Sequence, residues 1–335
     1  MTERGDGPLL LRIPNWLGDL VLALPVIEAA AEGPLIVLGP EPFRELLEPR
    51  FPLIRYLPVS RARRWSQAGA IRALRPSRAL LLTESLSSAV LAWLAGVPVR
   101  VGYRAEGRSI LLTRAVPRAG TARSTARARE YQVLAESVGL AVRNATPRLA
   151  AVPSETDQSR ALLREVGIAD GSPFAVLAPG ASYGPAKQWG PERFATVAAS
   201  LETRGIRSVI VGASGDRDAS DRLRGASDAP RGLVDLTGRT GLGQLVGVLA
   251  ASSLVVSNDS GVMHVAAALG RPTVAIFGST SPVWTSADAP SVVNLYAAYP
   301  CSPCYRRTCP IGYGCLNAIT TEDAIGAAQA LIART

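Results

Sequence analysis

Seven short runs rich in Val, Ile, Leu and Ala constrain this chain more than any other feature. They are LLLRIP (9–14), PLIVLG (34–39), ALLLT (79–83), FAVLAPG (174–180), RSVIVGA (207–213), LVVSN (254–258) and TVAIFG (273–278). Each is too short for a typical helix. Each is also too continuously apolar for a strand with one wet face, so each reads as a strand buried on both sides. Stretches with apolar residues three and four apart lie between them, as at 191–203 and 241–251. Strands alternating with helices predict parallel sheets. The alternation runs once before about residue 150 and again after about residue 172. The predicted fold class is therefore α/β, with two Rossmann-like domains in tandem, and 335 residues suit two domains.

The segment between the two halves holds Pro147, Pro153 and Pro173 and one predicted helix over 155–166. The predicted division is 1–153, then 154–318, then a C-terminal helix within 319–335 whose apolar stripe has to pack on a neighbour. In open α/β sheets ligands bind beyond the carboxyl ends of the strands. The chemistry is expected in loops that follow strands and face a cleft between the domains.

Three such loops stand out. Ile13-Pro14-Asn15-Trp16-Leu17-Gly18-Asp19 follows the first strand. Asp19 is either a helix N-cap, a role that Asp fills well, or a carboxylate turned toward a ligand. The loop lacks the spaced glycines of a dinucleotide fingerprint, which argues against NAD or FAD. The second loop, Ala178 to Trp189, offers Gly180 and Ser182 as donors and Lys187 as a positive point charge, a plausible diphosphate cradle. Lys187 is the only lysine, although the chain has 36 basic residues. The third, Ser257-Asn258-Asp259-Ser260-Gly261-Val262-Met263-His264, joins a strand to a helix. Asn258, Asp259 and Ser260 are all N-cap types, and free amides at a helix start suit phosphate. His264 is the only histidine and lies about a turn inside that helix.

All four cysteines fall in one run, Cys301, Cys304, Cys309 and Cys315. Clustering of this kind reads as a structural metal site, zinc first and an iron–sulfur cluster second. The opening residues MTERGDGPLLLRIPNW have no signal-peptide pattern. No apolar run reaches bilayer length, because Ala79 to Val99 is broken by Glu84 and serines. A soluble cytoplasmic protein is expected. The net charge is +9, with a long Arg-rich stretch from Arg61 to Arg129. With few aromatic stacking platforms and no basic recognition helix, this stretch fits a polyanionic substrate or a membrane headgroup surface at least as well as nucleic acid, and no nucleic-acid partner is expected.

Several stretches in order along the chain carry a family resemblance: PNWLGDLVLALPVIEA, WLAGVPVRVGYRAEGRSILLTRAV, PGASYGPAKQW and VVSNDSGVMHVAAALGRPTVAIFGSTSP, with CSPCYRRTCPIGYGC after them. The chain resembles the ADP-heptose:lipopolysaccharide heptosyltransferases of glycosyltransferase family 9, most of all those of type II. The resemblance implies a GT-B fold, with the acceptor in the N-terminal domain and ADP-heptose in the C-terminal one. It implies inverting, metal-independent transfer of a heptose to the heptosyl-Kdo2-lipid A inner core at the cytoplasmic face of the inner membrane, with no cofactor for catalysis; the structural zinc rests on the cysteine clustering. Asp19 matches the family's base. Ser182, Lys187, Asp259, Ser260, Gly261 and His264 match donor positions, and Asp216 or Asp218 aligns with an acidic donor contact. Asn15, Arg61, Arg63, Arg64, Arg104 and Arg108 are the candidate acceptor residues. Another family member with a different acceptor, or a non-catalytic binding protein on this fold, are the alternatives.

Overall fold

A computed structural model describes residues 7–60, 64–105, 107–118, 120, 123–287 and 289–334. The chain forms two compact units, Met1–Pro147 and Arg148–Thr335.

In the first unit β1 (Leu9–Arg12), β2 (Leu35–Gly39), β3 (Arg55–Pro58), β4 (Arg78–Leu81), β5 (Val99–Tyr103) and β6 (Arg114–Val116) form one sheet. Its order is β3-β2-β1-β4-β5-β6, and every pairing is parallel. In the second unit β7 (Phe174–Ala178), β8 (Arg207–Ile210), β9 (Val234–Asp235), β10 (Leu254–Asn258), β11 (Thr273–Phe277) and β12 (Val292–Tyr296) repeat the plan. The order there is β12-β11-β10-β7-β8-β9, again parallel throughout. Each sheet is thus a doubly wound sheet whose order reverses once, between β1 and β4 and between β7 and β10. Such a reversal leaves a crevice beyond the strand ends, because the helices on either side of it run to opposite faces.

All seven apolar runs are strands, and β1, β2, β7, β10 and β11 are buried along their whole length. Each fully buried Leu, Ile or Val contributes roughly 1.5–3 kcal/mol of transfer free energy. The helix Thr321–Ile332 places Ala324, Ala328 and Leu331 in the core of the second unit. Its start is fixed by a reciprocal cap in which Asp323 N donates to Thr320 Oγ1 (3.1 Å) and Thr320 N to Asp323 Oδ2 (2.9 Å).

The units divide at Pro147/Arg148, ahead of the division read from sequence. The reason is packing. Leu149 N already donates to Ala268 O (2.8 Å), and the helix Pro153–Glu165 lies so close to the helix Leu242–Ala251 that a Cβ on Gly247 would stand 2.4 Å from Glu155 O.

Candidate functional site

The reversal point of the second unit carries the loops after β7 and β10. Asn258, at the end of β10, ties them together. Its amide Nδ2 donates to Pro179 O (2.7 Å), and its Oδ1 accepts from Trp189 N (3.1 Å). Trp189 is buried, donates from Nε1 to Ile319 O (2.9 Å) and meets Phe194 edge-on at 5.5 Å. The tryptophan of AKQW is therefore the peg that holds Lys187 in place. Lys187 Nζ reaches Asp259 Oδ2 at 2.6 Å, and this oxygen also accepts from Thr280 Oγ1 (2.5 Å) and Thr285 Oγ1 (3.3 Å). Asp259 is 3% exposed, so three donors satisfy a carboxylate that would otherwise be costly to bury.

Ser260 is the N-cap of the helix Gly261–Ala268, but its side chain does not cap; its hydroxyl lies 3.1 Å from Ser257 Oγ. The Ser260 side chain therefore does not occupy the first-turn amides, which have no helical carbonyl opposite them, and such a helix start can receive an anion. His264 is buried, and its Nδ1 has no hydrogen-bond partner. Burial pushes its pKa down to about 4, against the pull of Asp259. A neutral imidazole with an unmet nitrogen, one turn inside a helix start and within the field of Lys187, suits recognition of a polar ligand.

Asp216 sits beneath the loop after β7. A Cβ on Gly180 would stand 2.2 Å from its carboxyl group, and one on Gly212 would stand 2.9 Å from its Cβ. Burial raises its pKa, opposed by the hydrogen bond from Ala213 N. Asp218 is exposed on the following helix and has no such contact. Ser182 is exposed in the turn after Ala181.

In the first unit the helix after β1 starts at Leu17 with Trp16 as N-cap. Asp19 lies in its first turn and does not cap it, so the capping role is not the one this aspartate fills. Its Oδ1 is 3.5 Å from Arg127 Nε, and its carboxylate also bonds to the buried Tyr131 hydroxyl. Arg127 Nη1 pairs in addition with Glu84 (2.9 Å) and Glu130 (2.7 Å), and Arg118 bridges the same two glutamates. Burial alone would raise the Glu84 carboxyl, but the two guanidinium groups outweigh it and hold it below its ordinary value. Asp19 therefore lies at the reversal between β1 and β4, on the rim of a charge network, and remains 28% exposed. Glu84 and Arg118 escaped the sequence reading because they pair across 34 residues, and Arg127, Glu130 and Tyr131, neighbours on one helix, because only the fold brings that helix to Glu84 and Asp19.

The acceptor candidates separate. Asn15 is exposed, and Arg12 Nη2 holds its Oδ1 at 2.6 Å. Arg104 is exposed and donates to Ala115 O (3.3 Å). Arg64 opens a helix, but its side chain, like Arg61 and Arg63 entirely, lies outside the described residues. Arg108 is a correction. It is fully buried and donates to Tyr103 O (3.0 Å), Thr83 O and Ser88 Oγ (3.2 Å), so it holds the end of β4 to the end of β5 and is not a surface ligand.

The four cysteines are free thiols. Cys309 Sγ accepts from Ile311 N (3.4 Å) and Tyr313 N (3.3 Å), and these bonds lower its pKa. Burial raises Cys315, and the other three sulfurs are near enough to raise it further. Yet among the described residues no three Cys, His, Asp or Glu side chains are disposed to hold an ion. The run still has a structural role. Tyr305 N donates to Ser279 O (2.7 Å), and Arg307 O accepts from Ala186 N (2.9 Å), which docks the segment against the loop that carries Lys187.

The model of glycosyltransferase family 9 (heptosyltransferase) matches residues 64–313. Lipopolysaccharide heptosyltransferase 2 of Escherichia coli is 30% identical over 307 residues, which cover 85% of this chain and 87% of the relative. The Salmonella typhimurium protein of the same name is 31% identical over 310 residues, with 85% and 87% covered. Among solved structures, E. coli ADP-heptose LPS heptosyltransferase II superposes with a TM-score of 0.82 at 27% identity, over 98% of this chain and 99% of that one.

Proposed function

The chain belongs to glycosyltransferase family 9, and from that footing we propose that it transfers L-glycero-D-manno-heptose from ADP-heptose to the heptosyl-Kdo2-lipid A inner core of lipopolysaccharide. The observation that carries the donor half is the constellation of Lys187, Asp259, the open helix start at Gly261 and the unmet nitrogen of His264. A fixed ammonium and several amides around one point meet part of the charge on a departing diphosphate. Ser182, in the loop after β7, and Asp216, packed under Gly180 of that loop, serve the sugar or nucleoside end of the donor.

In the transfer an acceptor hydroxyl oxygen bonds to the anomeric carbon. The bond from that carbon to the diphosphate oxygen breaks on the opposite face, which inverts the centre. The hydroxyl proton goes to Asp19, and the electron pair leaves with ADP. Lys187 and the amides at Ser260 and Gly261 stabilise the charge that develops on the diphosphate, and the step as proposed calls on no metal. Asn15, Arg61, Arg63, Arg64 and Arg104 meet the acceptor's carboxylates and phosphates. The test is incubation with both substrates and detection of the heptosylated lipid by mass spectrometry. Transfer to an inner core that still lacks its first heptose, and not to heptosyl-Kdo2-lipid A, would replace this acceptor with another. ADP-heptose binding without any transfer would leave a binding protein.

Two further parts of the proposal concern surroundings. No helix among the described residues is long and apolar enough to cross a membrane. The enzyme is proposed to act in the cytoplasm, at the surface of the inner membrane. Exposed Trp65 and Trp93, on helices that pack together beside the Arg-rich stretch, support this reading. The second part is a structural zinc on Cys301, Cys304, Cys309 and Cys315. Its support is the clustering of all four thiols and the paired amides on Cys309, and it requires the sulfurs to turn toward one another. Elemental analysis should then give about one zinc per chain; protein free of zinc and iron with four titratable thiols would refute it.

A further inference from the structure

The Lys187–Asp259 pair is electrically neutral as it stands. A diphosphate brings at least two negative charges, so the pair and a helix start alone leave charge unmet. A second cation lies beside the first. Tyr183 has Lys187 Nζ 5.0 Å from its ring centroid and Arg307 Cζ 5.4 Å from it. Unlike Lys187, Arg307 has no carboxylate partner among the described residues, and its side chain is exposed.

Its backbone, by contrast, is pinned. Arg307 O accepts from Ala186 N at 2.9 Å. Gly184, at φ 145°, approaches so closely that a Cβ there would stand 2.6 Å from the same oxygen. The Tyr183 hydroxyl donates to Tyr305 O. These contacts fix where the Arg307 side chain begins relative to Lys187. Stacking on Tyr183 then orients its guanidinium at little entropic cost. A cation without a carboxylate partner, on a fixed backbone, is suited to a ligand anion.

We infer that Arg307, from the cysteine-rich segment, is a second ligand for the diphosphate of the donor, with Tyr183 as the residue that positions it. The inference rests on the donor reading above. Arg307 pairs with the phosphate oxygens through its two-pronged guanidinium and supplies the net positive charge that Lys187, already paired, does not. Arg306 is the internal control. It is also exposed, but its charge acts on Cys309.

The experiment is calorimetric titration of the full chain with ADP and with adenosine, at low and high salt. Arg307→Gln should weaken ADP roughly tenfold to a hundredfold, leave adenosine unchanged and flatten the salt dependence. Arg307→Lys should recover part of the loss, and Arg306→Gln should behave as wild type. Thermal melting of the ligand-free variants should be unaltered. Equal ADP affinity in Arg307→Gln, alongside a loss in Lys187→Ala, would overturn the role of Arg307 and leave the donor reading intact. So would equal losses of ADP and adenosine, which mark a displaced loop, or an equal effect of Arg306→Gln, which marks a diffuse field. Wild-type protein that binds no ADP would overturn both.

Discussion

Asp19 shows how a single side chain divides between structural and chemical roles. An aspartate at a strand–helix junction usually caps the helix, but here Trp16 takes the N-cap and the Asp19 carboxylate faces Arg127. Asp19→Asn should therefore cost the fold little, because Arg127 keeps Glu84 and Glu130. It should lower kcat by roughly a hundredfold or more, the range for loss of a general base, with ADP-heptose affinity unchanged. Near-normal turnover would remove Asp19 from the chemistry. His264 gives a second, independent prediction. Its pKa falls from the ordinary 6.5 to about 4 on burial. The unfolded chain therefore binds the proton first as pH drops. Stability attached to neutral His264 is full above about pH 6.5 and is lost as pH falls toward 4, by up to about 3 kcal/mol. Urea unfolding across that window should show the loss in wild type and a flatter curve in His264→Gln; parallel curves would contradict it.

Arg108 carries the same lesson at the level of elements. The stretch VGYRAEGRSILL looks like a basic surface loop in sequence, yet it is a clasp. Gly102 leaves room for the guanidinium, since a Cβ there would stand 2.8 Å from Arg108 Nη2. Gly107, at φ 69°, turns the chain back, and Arg108 then bonds the carbonyls at the ends of β4 and β5. Arg108→Met removes these donors from buried carbonyls, so it should destabilise the chain by about 2–4 kcal/mol in urea unfolding. Wild-type stability with a raised acceptor KM would instead return Arg108 to the surface. The inner strands were legible in the sequence because burial on both faces writes an unbroken apolar run. β3, β6, β9 and β12 were not, because strands at the margins of a sheet are partly exposed, and β6 and β9 are also short; β5 was masked by Arg100 and Gly102. Lys187, Asp259 and His264 stood out in the sequence because they follow recognisable strands, with His264 one turn inside the helix after β10; the structure pairs Lys187 with Asp259. The Arg127 network and Thr280 did not stand out, since only the fold brings them to Asp19 and Asp259.

For the whole molecule, the proposed donor and acceptor contacts fall to different units, and this makes their kinetics separable. The second unit presents a partly buried, paired ammonium, with the Lys187 side chain only 12% exposed, and salt screens such a pair weakly. The first unit presents exposed arginines, Arg104 among them, whose attraction for carboxylates and phosphates falls as ionic strength rises. Acceptor KM should therefore climb between low and high salt more steeply than donor KM, whose salt-sensitive part comes from the exposed Arg307. Arg64→Ala and Arg104→Ala should raise acceptor KM several-fold at low salt and approach wild type at high salt, because the screened contact is the one removed. Lys187→Ala should do the reverse, weakening ADP-heptose at every salt concentration and leaving acceptor KM alone. The measurement is steady-state kinetics of the three variants with each substrate varied at two salt concentrations. If the arginine variants lose donor affinity, or keep wild-type kinetics throughout, then the stretch from Arg61 to Arg129 is a solvated surface, and acceptor recognition has to come from Asn15 and other parts of the first unit.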